Sequence, residues 1–142
     1  WKGLVGSEMC IRDRLDASTG ILNWKQVVNS SLRPSIVNDF IFTVSEEGFL
    51  IVIDSKSGKI IRSTDVFDKF KIKKRKKIKP TGFVLGSKKL YLSTSTGRLL
   101  IVDIETGKTQ SIIKIDSEKI SRPIILKQSL FVVKNNSVIK LN

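Results

Sequence analysis

Apolar residues along this chain come in short bursts, separated by clusters of Gly, Asn, Asp, Ser and Lys, and no burst carries the 3.6-residue period of an amphipathic helix. The bursts predict strands. Pro34–Val37, Phe40–Val44, Phe49–Ile53 and Lys59–Thr64 form one four-strand unit, and Thr81–Leu85, Leu90–Ser93, Leu99–Val102 and Thr109–Lys114 form a second. Pro123–Leu126, Leu130–Val133 and Val138–Leu141 begin a third, and Ile21–Val28 reads as the last strand of an earlier one. Phe40, Phe42, Phe49, Tyr91 and Phe131 are expected in the core.

The connections repeat as well. Asp-x-x-Ser/Thr-Gly occurs at Asp16–Gly20, Asp54–Gly58 and Asp103–Gly107. A basic residue followed by Pro recurs at Arg33-Pro34, Lys79-Pro80 and Arg122-Pro123. A turn residue stands six places before the Asp position, as Gly48, Gly97 and, in the last cycle, Asn136. An Asp carboxylate can accept N–H groups two or three residues on, the Gly supplies a positive φ, and Asn is the next-best residue for that backbone region. Pro at a strand start loses least from its missing N–H. Antiparallel four-strand units of about 40–50 residues are the sequence signature of propeller blades. The fold class is therefore all-β, a partial β-propeller of two and a half to three blades.

The run from Leu15 to Trp24 resembles the PQQ-like (pyrroloquinoline-quinone-type) repeat, in which an aliphatic-Asp-x-x-Thr-Gly turn is followed four residues later by Trp. Gly97–Lys108 is similar to the same repeat's central segment. The resemblance extends over residues 15–142 and implies that Trp24 packs between adjacent blades; Arg62 and Ser111 stand at the matching positions. It also implies a ring of seven or eight blades, most of it outside this chain. Among the family's broad relatives by pattern is the propeller lipoprotein of the outer-membrane β-barrel assembly machine. The expectation carried over is a non-catalytic scaffold for protein partners, in a periplasmic or envelope setting. A fragment of a PQQ-dependent dehydrogenase propeller is the alternative within the same family.

Residues 1–14 fit none of this. Val5–Arg14 resembles a translated sequencing adapter, and the segment is set apart as non-native. The remaining organisation is the last strand of a blade over 15–33, a blade over 34–64, a basic insertion over 65–79, a blade over 80–114 and a partial blade over 115–142.

Composition narrows the chemistry. There is no His, one cysteine and no apolar run long enough for a membrane helix. The three repeat acids Asp16, Asp54 and Asp103 are accounted for by turns, and Glu46-Glu47 reads as a hairpin tip, so no catalytic residue, metal ligand or cofactor is expected. The net charge of +13 is concentrated between Lys69 and Lys79. From Asp54 to the next repeat Pro the chain runs 26 positions, against 18 and 20 in the other cycles, which makes this stretch an inter-blade insertion. Lys71, Lys73, Lys74, Arg75, Lys76, Lys77 and Lys79 form a candidate patch for an anionic polymer or membrane surface. The other reading is a solvated loop that carries no core.

Overall fold

A computed structural model describes residues 10–15 and 19–141. Two short strands come first, β1 (Cys10–Leu15) and β2 (Leu22–Val28), paired antiparallel with Arg12 opposite Gln26. Residues 10–14, set apart in the sequence, thus form backbone ladder bonds with β2. Pairing of this kind is a property of the backbone and is indifferent to the origin of the residues.

Next come two four-stranded antiparallel meanders. The first runs in chain order through β3 (Ser35–Val37), β4 (Phe40–Val44), β5 (Phe49–Asp54) and β6 (Ile60–Asp65). The second runs through β7 (Pro80–Leu85), β8 (Lys89–Thr94), β9 (Arg98–Asp103) and β10 (Thr109–Lys114). A three-stranded meander follows, made of β11 (Ile124–Leu126), β12 (Ser129–Lys134) and β13 (Ser137–Leu141). Between β6 and β7 lies one short helix, α1 (Ile72–Arg75). The chain divides into compact units at residues 1–63 and 64–142, so the division falls within β6.

The core sits on the central strands. In β4 and β5 every residue from Ile41 to Val44 and from Leu50 to Ile53 is buried, and in the second meander Leu90, Leu92, Leu99, Leu100 and Val102 are fully so. A strand covered on both faces reads as a continuous apolar run, which is why these bursts lack alternation. The outer strands differ: Ile36, Val37, Ile60 and Ile61 are all exposed. Phe40 and Phe49 correct the expectation of a buried aromatic set, being 41% and 38% exposed. Each is the first residue of its strand, beside a hairpin rather than under a second layer. Phe42 is buried, and Tyr91 and Phe131 are half-buried.

The repeated turn has the same geometry in both meanders. Ser57 N–H donates to Asp54 Oδ2 at 3.0 Å and Thr106 N–H to Asp103 Oδ1 at 3.0 Å. Gly58 N–H and Gly107 N–H each donate to the carbonyl of their own Asp at 2.8 Å. Both glycines have positive φ, 75° and 72°, as do Gly48 and Gly97 at the opposite hairpins. Asn136 fills the Gly48 role at φ 64° beside Asn135 at 44°, the pair of left-handed residues that a tight hairpin requires. Asp16 lies outside the described residues, while Gly20, in the same turn, has φ 71°.

A second demand falls on two of these glycines. A Cβ on Gly58 would lie 2.5 Å from Trp24 Cδ2, and one on Gly107 would overlap Thr64 Oγ1. A Cβ on Gly20 would meet nothing. Gly20→Ala should therefore cost only the left-handed strain, about 1–2 kcal/mol. Gly58→Ala should cost about 1–3 kcal/mol more, because the indole cannot be displaced without opening its apolar contacts. Denaturant unfolding of the two variants checks the order; equal costs would remove the contact as a reason for glycine at residue 58.

Candidate functional site

Trp24 on β2 projects onto the turn that joins β5 to β6. Its indole Nε1–H donates to the Ser55 carbonyl at 2.7 Å, and its ring lies against the cluster of Val28, Ile41, Ile51 and Ile53. Gln26, two residues on, donates from Nε2 to the Gly58 carbonyl at 3.0 Å. The Trp24 indole thus meets the polar rim of a turn with its N–H and the sheet's apolar face with its rings. In the second unit the equivalent seat, over Gly107, holds Thr64. Arg62, at the position matching Trp24, is half-buried, and Ser111 is exposed.

The repeat acids are occupied by their own turns. Hydrogen bonds from the Ser57 hydroxyl and N–H hold the Asp54 carboxyl below its ordinary value of 3.8. The Thr106 N–H does the same for Asp103, with Lys89 3.9 Å away. Asp116 is also lowered, by the Ser117 N–H and by Lys134 at 3.3 Å. Among the described residues no group of three acids and thiols stands close enough to hold a metal ion.

Sequence reading missed one recurring polar anchor. Ser45 Oγ accepts the Phe49 N–H at 3.1 Å, and Thr94 Oγ1 accepts the Arg98 N–H at 3.0 Å. Both residues are buried, and both stand three places before a turn glycine, Gly48 and Gly97. The signal was a hydroxyl at fixed spacing; Val133 at the matching place before Asn136 hides it in the third cycle.

The basic insertion is more structured than a solvated loop. Val66 and Phe67 enter it fully buried and Ile78 leaves it buried, so the segment does carry core. Phe67 and Phe70 meet edge to face with ring centres 5.6 Å apart. Asp65 accepts the Phe67 N–H at 3.0 Å and pairs with Arg75 at 2.5 Å. Because Arg75 is bound in that ion pair and half-buried, it belongs to the fold of the segment rather than to an open patch. Lys71, Lys73, Lys74, Lys76, Lys77 and Lys79 are exposed.

Two of these lysines face a cleft of about 350 Å³ within the second unit. Lys74 and Lys77 from the insertion, Arg98 from β9 and Lys114 from β10 line it, and Phe70 and Ile78 supply apolar surface. Thr96 and Ser117 complete the lining. Arg98 Nη1 donates to the carbonyls of Thr96 and Asp116, both at 3.1 Å, which fixes its guanidinium in the wall.

No protein-family model matches the chain, and no curated protein matches it in sequence. Solved structures do match in fold. BamB from Moraxella catarrhalis superposes with a TM-score of 0.71 at 12% identity, over 96% of this chain and 40% of its own. Sqt1 of Saccharomyces cerevisiae gives 0.73 at 13% identity, over 94% of this chain and 40% of its own. The quinohemoprotein alcohol dehydrogenase ADHIIG from Pseudomonas putida HK5 gives 0.57 at 16% identity, over 71% of this chain and 16% of its own. The chain spans well under half the length of each. With its three meanders, it is an all-β, partial β-propeller.

A carboxyl whose native pKa is lowered stabilises the fold fully above its unfolded value, and that contribution is lost as pH falls through the lower native one. The melting temperature should thus hold from pH 7 to about 5 and fall steeply below about 4, with a shallower acid limb in Asp54→Asn. A chain that melts higher in acid, or an unchanged limb in Asp54→Asn, would contradict the turn assignment. Changing Lys73, Lys74, Lys76 and Lys77 together to Ser should alter stability by less than about 1 kcal/mol, whereas Ile78→Asn should cost about 3 kcal/mol or more. Calorimetric melting of the two variants separates exposed charge from buried anchor.

Proposed function

We propose that this chain is part of a non-catalytic propeller scaffold that grips protein partners. The observation that carries the reading is that large apolar side chains are exposed on the first strand of two separate meanders. Ile36 and Val37 on β3 are 68% and 43% exposed, and Ile124 and Leu126 on β11 are 53% and 59% exposed. Short strands whose apolar side chains face solvent are surfaces that a protein segment can cover. Four of the acids are already committed, Asp54 and Asp103 to turns, Asp65 to Arg75 and Asp116 to Lys134. The fold likeness to BamB and Sqt1 is compatible with this role, and the PQQ-like repeat pattern adds an envelope setting and a part in outer-membrane protein assembly as the family-level expectation.

A photoreactive residue at position 36 or 126, in cells that export the chain, should give discrete protein adducts, while one at the exposed turn position 105 should not. Ile124→Lys should suppress the adducts from position 126 without lowering the melting temperature. Adducts from position 105 alone would remove the surface argument. Saturable binding of pyrroloquinoline quinone with calcium, accompanied by quinone-dependent dye reduction, would replace the scaffold by an enzyme.

A further inference from the structure

The cleft beside α1 gathers positive charge from three separate parts of the second unit, which a solvated lysine run does not explain. Lys74 and Lys77 come from the insertion, Arg98 from β9 and Lys114 from the end of β10. None of the three lysines is in an ion pair among the described residues. Asp65 is engaged by Arg75 and Asp116 by Lys134, and the exposed Asp68 and Glu118, which also stand near these residues in the chain, do not line the cleft. Four cations facing one cavity repel one another, and an anion seated among them relieves that repulsion.

The surroundings narrow the anion. Arg98 is pre-oriented by two carbonyls, so little order is lost when it meets an oxyanion. Thr96 and Ser117 place hydroxyl donors in the same lining. Phe70 and the buried Ile78 offer apolar surface beside the charges, and Phe70 is held in place by Phe67. A cavity of about 350 Å³ exceeds what an inorganic ion fills and lies in the range of small-molecule sites.

We infer that this cleft binds a phosphomonoester, its doubly charged phosphate set among Lys74, Lys77, Arg98 and Lys114 and its apolar part against Phe70 and Ile78. The cleft's lining shares no residue with β3 or β11. The site also differs from attraction to the lysine run as a whole, since Lys114 lies outside the run, whereas Lys73 and Lys76 lie within it but do not line the cleft.

Calorimetric titration of the full chain with phenyl phosphate, phenyl sulfate and inorganic phosphate at physiological salt tests the inference. Phenyl phosphate should saturate at one per chain and bind about fivefold or more tightly than either other ion, since each lacks one half of the complement. Lys114→Gln, an exposed change, should weaken it about fivefold, and the Lys73→Gln, Lys76→Gln double variant less than about twofold. Equal loss in both variants would reduce the site to the general field of the run and overturn the proposal. So would inorganic phosphate that binds as tightly as the ester, or phenyl phosphate that fails to saturate. Vesicles of phosphatidylcholine with phosphatidic acid identify the source. Capture that Lys114→Gln abolishes places the phosphate on a lipid headgroup, and no capture beside intact phenyl phosphate binding places it on a soluble ester. Capture indifferent to Lys114 would count against the cleft.

Discussion

The contact on which most of the first unit depends is the seating of Trp24 over Gly58. One glycine meets two demands there, a left-handed backbone that closes the Asp54 turn and a bare α-carbon that lets an indole approach. The turn is local, made of one carboxylate and the N–H groups that follow it. The approach is long-range, bringing β2 onto β5 and β6 from more than thirty residues away in sequence. Repeat architectures rest on this conjunction, because a single meander cannot bury its faces alone and needs each turn to serve as a seat for its neighbour. In the second unit Thr64 takes the seat over Gly107, with a smaller side chain whose hydroxyl is buried without a partner among the described residues. That substitution trades apolar contact for an unpaired polar atom.

The turns and the strands were legible in the sequence because their causes are local. Asp54 and Asp103 accept the N–H groups that the Asp-x-x-Ser/Thr-Gly pattern predicts, and Asn136 has the positive φ expected of a stand-in for glycine. The coverage of individual residues was less legible. Phe40 and Phe49 sit in bursts as apolar as any, yet each lies at a strand end, and an apolar run does not reveal which of its ends lacks a covering layer. The hairpin between Leu126 and Ser129 was legible in place, but its conformation was equally hidden. Lys127 and Gln128 both have positive φ, though neither belongs to the types that favour it.

The insertion shows how charge can mask packing. Eight cations between Lys69 and Lys79 dominate the sequence, and Val66, Phe67 and Ile78 look like spacers beside them. In the fold these three are the anchors, the seven lysines are exposed around them, and Arg75 is tied to Asp65. The cleft was not legible at all from the run, because Arg98 and Lys114 reach it from strands that come close only once the second meander forms. The proposed partner and the proposed ligand thus rest on features of different chemistry, exposed apolar strands for a polypeptide and a cationic cleft for a phosphomonoester. Neither makes use of the turn acids, which the fold itself consumes.

The coupling between Trp24 and Gly58 is measured most directly by a double-mutant cycle. If glycine is required at residue 58 partly because the indole rests on it, Gly58→Ala should cost less in a Trp24→Ala background than in the native chain, by about 1 kcal/mol or more. The residual cost should approach that of the left-handed strain alone. Additive costs, with the glycine substitution equally damaging whether or not the indole is present, would contradict the claim that the repeat turn doubles as the seat on which neighbouring strands dock.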